Sequence, residues 1–133
     1  FIKEPSIIFV HDGVRCLITK ELIWRCYEQA LLKGSAIPAV AATDSIRMIE
    51  EEDHYVVNRR NVRIIQTPQT FQSRILLPAF KQAYDADFTD EATVVEASGE
   101  SVFLIEGDYN NIKITRPVDL LMAEKILSER ISF

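Results

Sequence analysis

The chain has 133 residues, enough for one domain or part of one, and its 47% hydrophobic content with 4 Gly and 5 Pro excludes fibrous and disordered classes. With 20 Asp and Glu against 15 Lys and Arg the net charge is −5. That balance gives no general attraction for nucleic acid, so any anionic ligand must be held by a few locally placed cations.

Residues 6–10 form a continuous β-favouring apolar run, the pattern of a strand buried on both faces of a parallel sheet. The run breaks at His11-Asp12-Gly13. Residues 19–33 carry Leu22, Ile23, Cys26, Tyr27, Ala30 and Leu31 at helical spacing, with Thr19 suited to the N-cap and Gly34 to the stop. Residues 36–42 read as a second small apolar strand despite Pro38. Strand, helix and strand in succession predict a right-handed βαβ unit with parallel strands.

The following stretch is more polar. Residues 45–49 and 55–59 are short strands around the acidic turn at 50–53, and residues 62–65 are expected to extend their ladder. A hairpin this polar belongs outside a doubly covered sheet, so 44–65 is expected to project as an arm that packs on a second copy of the chain. Beyond it, Ser73 is expected to cap a helix running to about Tyr84, interrupted or kinked near Pro78. Thr89 or Asp90 caps a short helix stopping at Gly99. Residues 101–105 read as a buried strand and 111–114 as a short strand or loop. Thr115-Arg116-Pro117 opens a last helix containing Leu120, Leu121, Ala123 and Leu127, with proline correctly near its start. No apolar run approaches the ~18 residues needed to cross a bilayer, and no secretory signal is expected. Phe1 precedes a strand almost directly, so further residues are expected before it.

Asp12 follows a strand directly, at the sheet edge where α/β proteins place ligands. It suits a Mg²⁺ ligand, an acceptor from a sugar hydroxyl, or a turn aspartate bonding its own backbone. Arg15 lies on the same turn, and taken alone reads as a solvated charge. In residues 110–115, alternation turns Lys113 and Thr115 away from Ile112 and Ile114, and a cation beside a hydroxyl before a helix start suits phosphate. The other reading of Lys113 is a protective charge on an edge strand. Arg59, Arg60 and Arg63 are exposed guanidiniums of the arm, one of which could clamp a phosphate. Thr67 and Thr89 look like turn and cap residues. His11 reads as a packed histidine and His54 as a loop residue, too far apart for a zinc site. Cys16 and Cys26 read as reduced thiols of a cytoplasmic protein. No glycine-rich phosphate loop occurs.

Taken together, residues 9–15 (FVHDGVR), 42–45 (ATDS), Asn58-Arg59, 66–71 (QTPQTF), 89–92 (TDEA) and 111–120 (NIKITRPVDL) resemble the 2-C-methyl-D-erythritol 4-phosphate cytidylyltransferase family, in the family's order and over almost the whole chain. The resemblance implies an α/β, Rossmann-like nucleotidyltransferase sheet, incomplete because the N-terminal half is missing, and a homodimer clasped by hairpin arms. It implies transfer of CMP from CTP to methylerythritol 4-phosphate with Mg²⁺ and release of pyrophosphate. By position, Asp12 and Arg15 would contact the alcohol, with Asp12 also near the metal. Lys113, Ser45 and Arg59 would hold its phosphate, the last two coming from the partner subunit, and Thr67 and Thr89 would bind its polar groups. Cys16 stands where the family has proline, and Ser45 where it has threonine. The family's CTP-phosphate loop has no counterpart, so the 133 residues are expected to be inactive alone. Two rival readings are a ribitol-5-phosphate cytidylyltransferase, which shares the first and last motifs, and a non-catalytic dimerising fragment. Thr89-Asp90-Glu91-Ala92 favours the methylerythritol enzyme.

Overall fold

The computed structural model describes residues 2–131. Strand β1 (Ile7–Val10) leads through helix α1 (Lys20–Lys33) to β2 (Ser35–Ala41). Strands β3 (Ile46–Glu50) and β4 (Asp53–Val57) follow, then a 3-10 turn (Arg59–Asn61), β5 (Arg63–Ile65) and β6 (Gln69–Gln72). Helices α2 (Ser73–Ala79) and α3 (Glu91–Ala97), strand β7 (Leu104–Glu106) and helix α4 (Pro117–Ile131) complete the order.

The expected strand–helix–strand unit forms, but β1 and β2 are not neighbours. β6 lies between them, antiparallel to both, with Phe71 opposite Ile8 on one side and Ser35 on the other. The sheet is therefore mixed; β7 runs parallel to β2 on its other edge. β1 is only half-buried rather than covered on both faces, and β7 is largely exposed where a buried strand was expected.

β5 and β6 share one edge of β2, broken at residues 66–69. Between the pairs Ala36–Thr70 and Ala39–Ile65, β2 contributes Ile37 and Pro38 while the other strand contributes Gln66, Thr67, Pro68 and Gln69. That bulge explains how a proline sits in a central strand. The Pro38 carbonyl accepts from the Gln66 N–H at 2.8 Å, and the hydrogen that proline lacks would point into the break. Residues 62–65 thus join the main sheet rather than the hairpin, which is confined to β3 and β4 paired with each other. Met48, Ile49, Tyr55 and Val56 of that hairpin are exposed. His54 is a β4 residue, not a loop residue, and its Nδ1 accepts from Arg47 Nε at 2.8 Å.

Period-two alternation in β2 separates two cores. Ile37 joins Phe71, Ile75, Leu76 and Val95 under α2 and α3, while Ala36 joins Leu22 and Cys26 under α1. Helix α1 has the expected ends: Thr19 Oγ1 accepts from Leu22 N, and Gly34 takes a left-handed φ of 100°. Helix α2 ends at Ala79, well before Tyr84, with Pro78, which has no N–H to donate to the preceding turn, inside its last turn. Ser73 is the first helical residue rather than the cap; its buried hydroxyl accepts from Ser6 N at 3.1 Å.

Candidate functional site

Asp12 lies just past the carboxyl end of β1, in the connection to α1. A turn closes there, with Arg15 N donating to Asp12 O at 3.0 Å. The turn folds Arg15 inward until it is 9% exposed, and its guanidinium is shared between two partners. Nε donates to Asp12 Oδ2 at 3.2 Å and Nη1 to the Asn111 carbonyl at 2.7 Å. Arg15 is therefore no solvated charge: it fixes the Asp12 carboxylate and ties β1 to the loop before α4. Lys113 comes from that same loop and places Nζ 3.9 Å from Asp12 Oδ2.

The bulge at residues 66–69 supplies the cleft floor. Thr67 Oγ1 accepts from Asp12 N at 3.0 Å and meets His11 Nδ1 at 2.8 Å. Gln66, buried, donates to the Asp108 carbonyl at 2.8 Å and accepts from Asp108 N at 3.2 Å. Asn111, fully buried, donates to the Thr67 carbonyl at 2.8 Å. Gly107 permits this approach, since a Cβ there would stand 2.5 Å from Gln66 Oε1 and 3.2 Å from Ala39 N. On the other side, Gln69 donates to Asp90 Oδ2 and accepts from Ala92 N, both at 2.9 Å, fixing the start of α3. Asp90, not Thr89, is the cap, in a reciprocal box with Thr93.

These contacts enclose a polar cleft of about 270 Å³ lined by Asp12, Arg15, Thr67, Thr89, Lys113 and neighbours from the bulge and the start of α3. Five of the sequence candidates thus converge. Ser45 and Arg59 do not line it; both are exposed near the hairpin, where Arg59 Nη1 donates to the Thr43 carbonyl at 2.7 Å. Thr115 does not join Lys113 as a phosphate donor either. Its hydroxyl donates to Asp119 Oδ2 at 3.2 Å, beside the N–H groups of Thr115 and Arg116. Those backbone bonds, Thr115 first, hold the Asp119 carboxyl below its ordinary value. A more apolar cleft of about 360 Å³, lined by Phe80, Tyr84 and Phe88, lies across Thr89–Glu91 but collects no cation.

Sequence reasoning missed the frame around the cleft. His11, Gln66, Gln69 and Asn111 position it, and the signal was the polar run Gln66-Thr67-Pro68-Gln69 between strands where apolar residues are the rule. His11 is exposed rather than packed. Among the described residues no group of three His, Cys, Asp or Glu side chains could hold a metal ion, and no helix is long and apolar enough to cross a membrane. Cys16 and Cys26 are free thiols.

Residues 2–129 match the family model for IspD, 2-C-methyl-D-erythritol 4-phosphate cytidylyltransferase. The protein of that name from Phocaeicola vulgatus is 39% identical over 127 residues, covering 96% of this chain and 58% of the relative. The one from Alkaliphilus oremlandii is 43% identical, covering 96% and 56%. A crystal structure of 4-diphosphocytidyl-2C-methyl-D-erythritol synthase superposes with a TM-score of 0.81 at 35% identity over 94% of this chain and 58% of that one. The cytidylyltransferase from Thermus thermophilus gives 0.80 at 34% identity, covering 92% and 62%. The fold is that of the nucleotidyltransferases, and the chain spans less than two thirds of these relatives' length.

Proposed function

We propose that this chain, which belongs to the 2-C-methyl-D-erythritol 4-phosphate cytidylyltransferase family, holds the acceptor alcohol phosphate of that reaction in the cleft lined by Asp12 and Lys113. The observation that carries the reading is that Lys113 Nζ stands 3.9 Å from Asp12 Oδ2 on the lining of one polar cleft. A phosphate oxygen of the acceptor attacks the α-phosphorus of CTP, a new P–O–P linkage forms, and the bond to pyrophosphate breaks. No covalent enzyme intermediate is needed, so the protein's task is to aim the attacking oxygen and offset charge.

Lys113 is the cation for the acceptor's phosphate, and its side chain is 52% exposed and so free to reach it. Arg15 keeps Asp12 facing the cleft, where its carboxylate accepts from substrate hydroxyls; Thr67 and Thr89 supply further polar contacts. The cleft's carboxylates, Asp12, Asp90 and Glu91, outnumber its cations, Arg15 and Lys113. A phosphate therefore needs more positive charge than one copy provides.

Two sources fit. A second copy laying its β3–β4 hairpin over this cleft would bring Ser45 and Arg59, and would cover the exposed Met48, Ile49, Tyr55 and Val56. Mg²⁺, which is held by one or two carboxylates together with substrate phosphates, would find one protein ligand in Asp12. When bound it would neutralise phosphate charge. The free thiols suit a reducing compartment, and we place the protein in the cytoplasm. With no glycine-rich loop for the triphosphate, we expect no pyrophosphate release from these 133 residues alone.

Calorimetric titration with methylerythritol 4-phosphate and ribitol 5-phosphate tests the reading. Saturable binding that favours the first is expected; a preference for ribitol 5-phosphate, or binding of neither, overturns it.

A further inference from the structure

His11 sits at the end of β1 with its residue exposed, yet both ring nitrogens are engaged within the protein. Nε2 lies 2.9 Å from the Arg15 carbonyl. A carbonyl oxygen only accepts, so Nε2 carries the hydrogen. In the neutral ring the other nitrogen is then a bare acceptor. Its partner at 2.8 Å is Thr67 Oγ1, which must therefore donate its single hydrogen to Nδ1. The same oxygen accepts the Asp12 N–H at 3.0 Å. The Thr67 hydroxyl thus has its hydrogen and one lone pair committed within the protein. One lone pair is left for the cleft.

We propose that His11 is a positioning residue that fixes Thr67 as a pure hydrogen-bond acceptor, so that Thr67 recognises a hydroxyl of the acceptor substrate and not its phosphate. The inference rests on the cleft being the acceptor site. A phosphate oxygen offers lone pairs to a lone pair and is refused there, whereas a polyol O–H is accepted. The Asp12 carboxylate is likewise an acceptor, and Lys113 only donates. The cleft is thereby sorted into a hydroxyl-reading side (Thr67 and Asp12) and a phosphate-reading side at Lys113, which sets the direction in which a polyol phosphate lies. His11 also steadies the Arg15 carbonyl, so one ring locks both ends of the Asp12 turn.

The tautomer is read from long-range proton–nitrogen correlation on chain with ¹⁵N-labelled histidine, with His11 and His54 told apart by a His54→Gln sample. The expected result is a protonated Nε2 and a bare Nδ1 for His11, with the Nδ1 signal moving in Thr67→Val. A protonated Nδ1, or the averaged pattern of an unbonded ring, overturns the proposal. In parallel, methylerythritol 4-phosphate and inorganic phosphate are titrated into three chains. His11→Phe is expected to weaken the polyol phosphate about tenfold and leave inorganic phosphate unchanged. His11→Asn, whose amide oxygen can still accept from Thr67, is expected to recover most of the loss. Equal losses for both probes, or no recovery in His11→Asn, would mean a merely structural histidine. If His11→Phe does not fold, the tautomer and His11→Asn still decide. Failure of the unsubstituted chain to bind the polyol phosphate would count against the cleft assignment, and the tautomer alone would then decide the role of His11.

Discussion

Gln69 and Asp90 are joined by a 2.9 Å hydrogen bond that ties the broken edge of the sheet to the loop carrying Thr89. Gln69 is 2% exposed, and its oxygen also takes the Ala92 N–H. Replacing it with leucine keeps the bulk but strands a buried N–H and one carboxylate oxygen. Gln69→Leu is expected to cost about 2–3 kcal/mol of unfolding free energy, read as a lower urea midpoint at unchanged slope. The Asp90–Thr93 cap should survive, because it uses the other carboxylate oxygen.

Asp119 closes the first turn of α4. Its Oδ2 takes Arg116 N at 2.9 Å and Thr115 N at 3.0 Å, and the carboxyl is held below its ordinary value. Since the folded-state value is lowered, the stabilisation is complete above the ordinary aspartate value and is lost as pH falls through the folded one. Carbon-detected titration should place the Asp119 midpoint below that of a model aspartate. Asp119→Asn should remove this step from the acid unfolding curve of the helix.

Much of the fold was legible because its signals are local. The run at residues 6–10, the Thr19 and Gly34 ends of α1, and Pro117 at the start of α4 each follow from one element's own chemistry. The mixed sheet was not legible, because β6, at residues 69–72, enters between β1 and β2 and nothing in its four residues says so. Likewise Asp12 and Lys113 could be chosen as chemistry-bearing residues, with the family resemblance adding Arg15, Thr67 and Thr89. Gln66, Gln69 and Asn111 could not, because a buried amide earns its role from partners 21 to 45 residues away. Thr115 misled for the opposite reason: a hydroxyl that donates to a first-turn carboxylate and a hydroxyl that binds phosphate look alike until its partner, Asp119, is seen.

Cys26 is fully buried, and burial pushes its thiol up, with smaller opposing effects from Thr70 and Arg25. The thiolate is the reactive form, so a thiol reagent should label only the exposed Cys16 in the folded chain and both thiols in denaturant. Because the folded value is raised, the stability tied to Cys26 is intact below the unfolded thiol's value and falls as pH rises towards the folded one. Rapid labelling of Cys26 in the native chain would contradict the packing of α1 on β2.

If Arg59 reaches the cleft of a second copy, Arg59→Ala and Lys113→Ala chains are each weak acceptor binders but complement when mixed. Random pairing makes half the dimers mixed, each with one intact site, so about a quarter of the sites should recover. Calorimetric stoichiometry reads the fraction. No recovery, with dimers present, would keep Arg59 out of the site.

The most direct measurement compares acceptor binding by the unsubstituted chain and by Lys113→Ala, with methylerythritol 4-phosphate as the probe and calorimetry as the readout. Removing the charge opposite Asp12 should weaken binding about tenfold or more, with Lys113→Arg falling between the two. Equal affinity in all three chains would contradict the assignment of this cleft to the acceptor's phosphate.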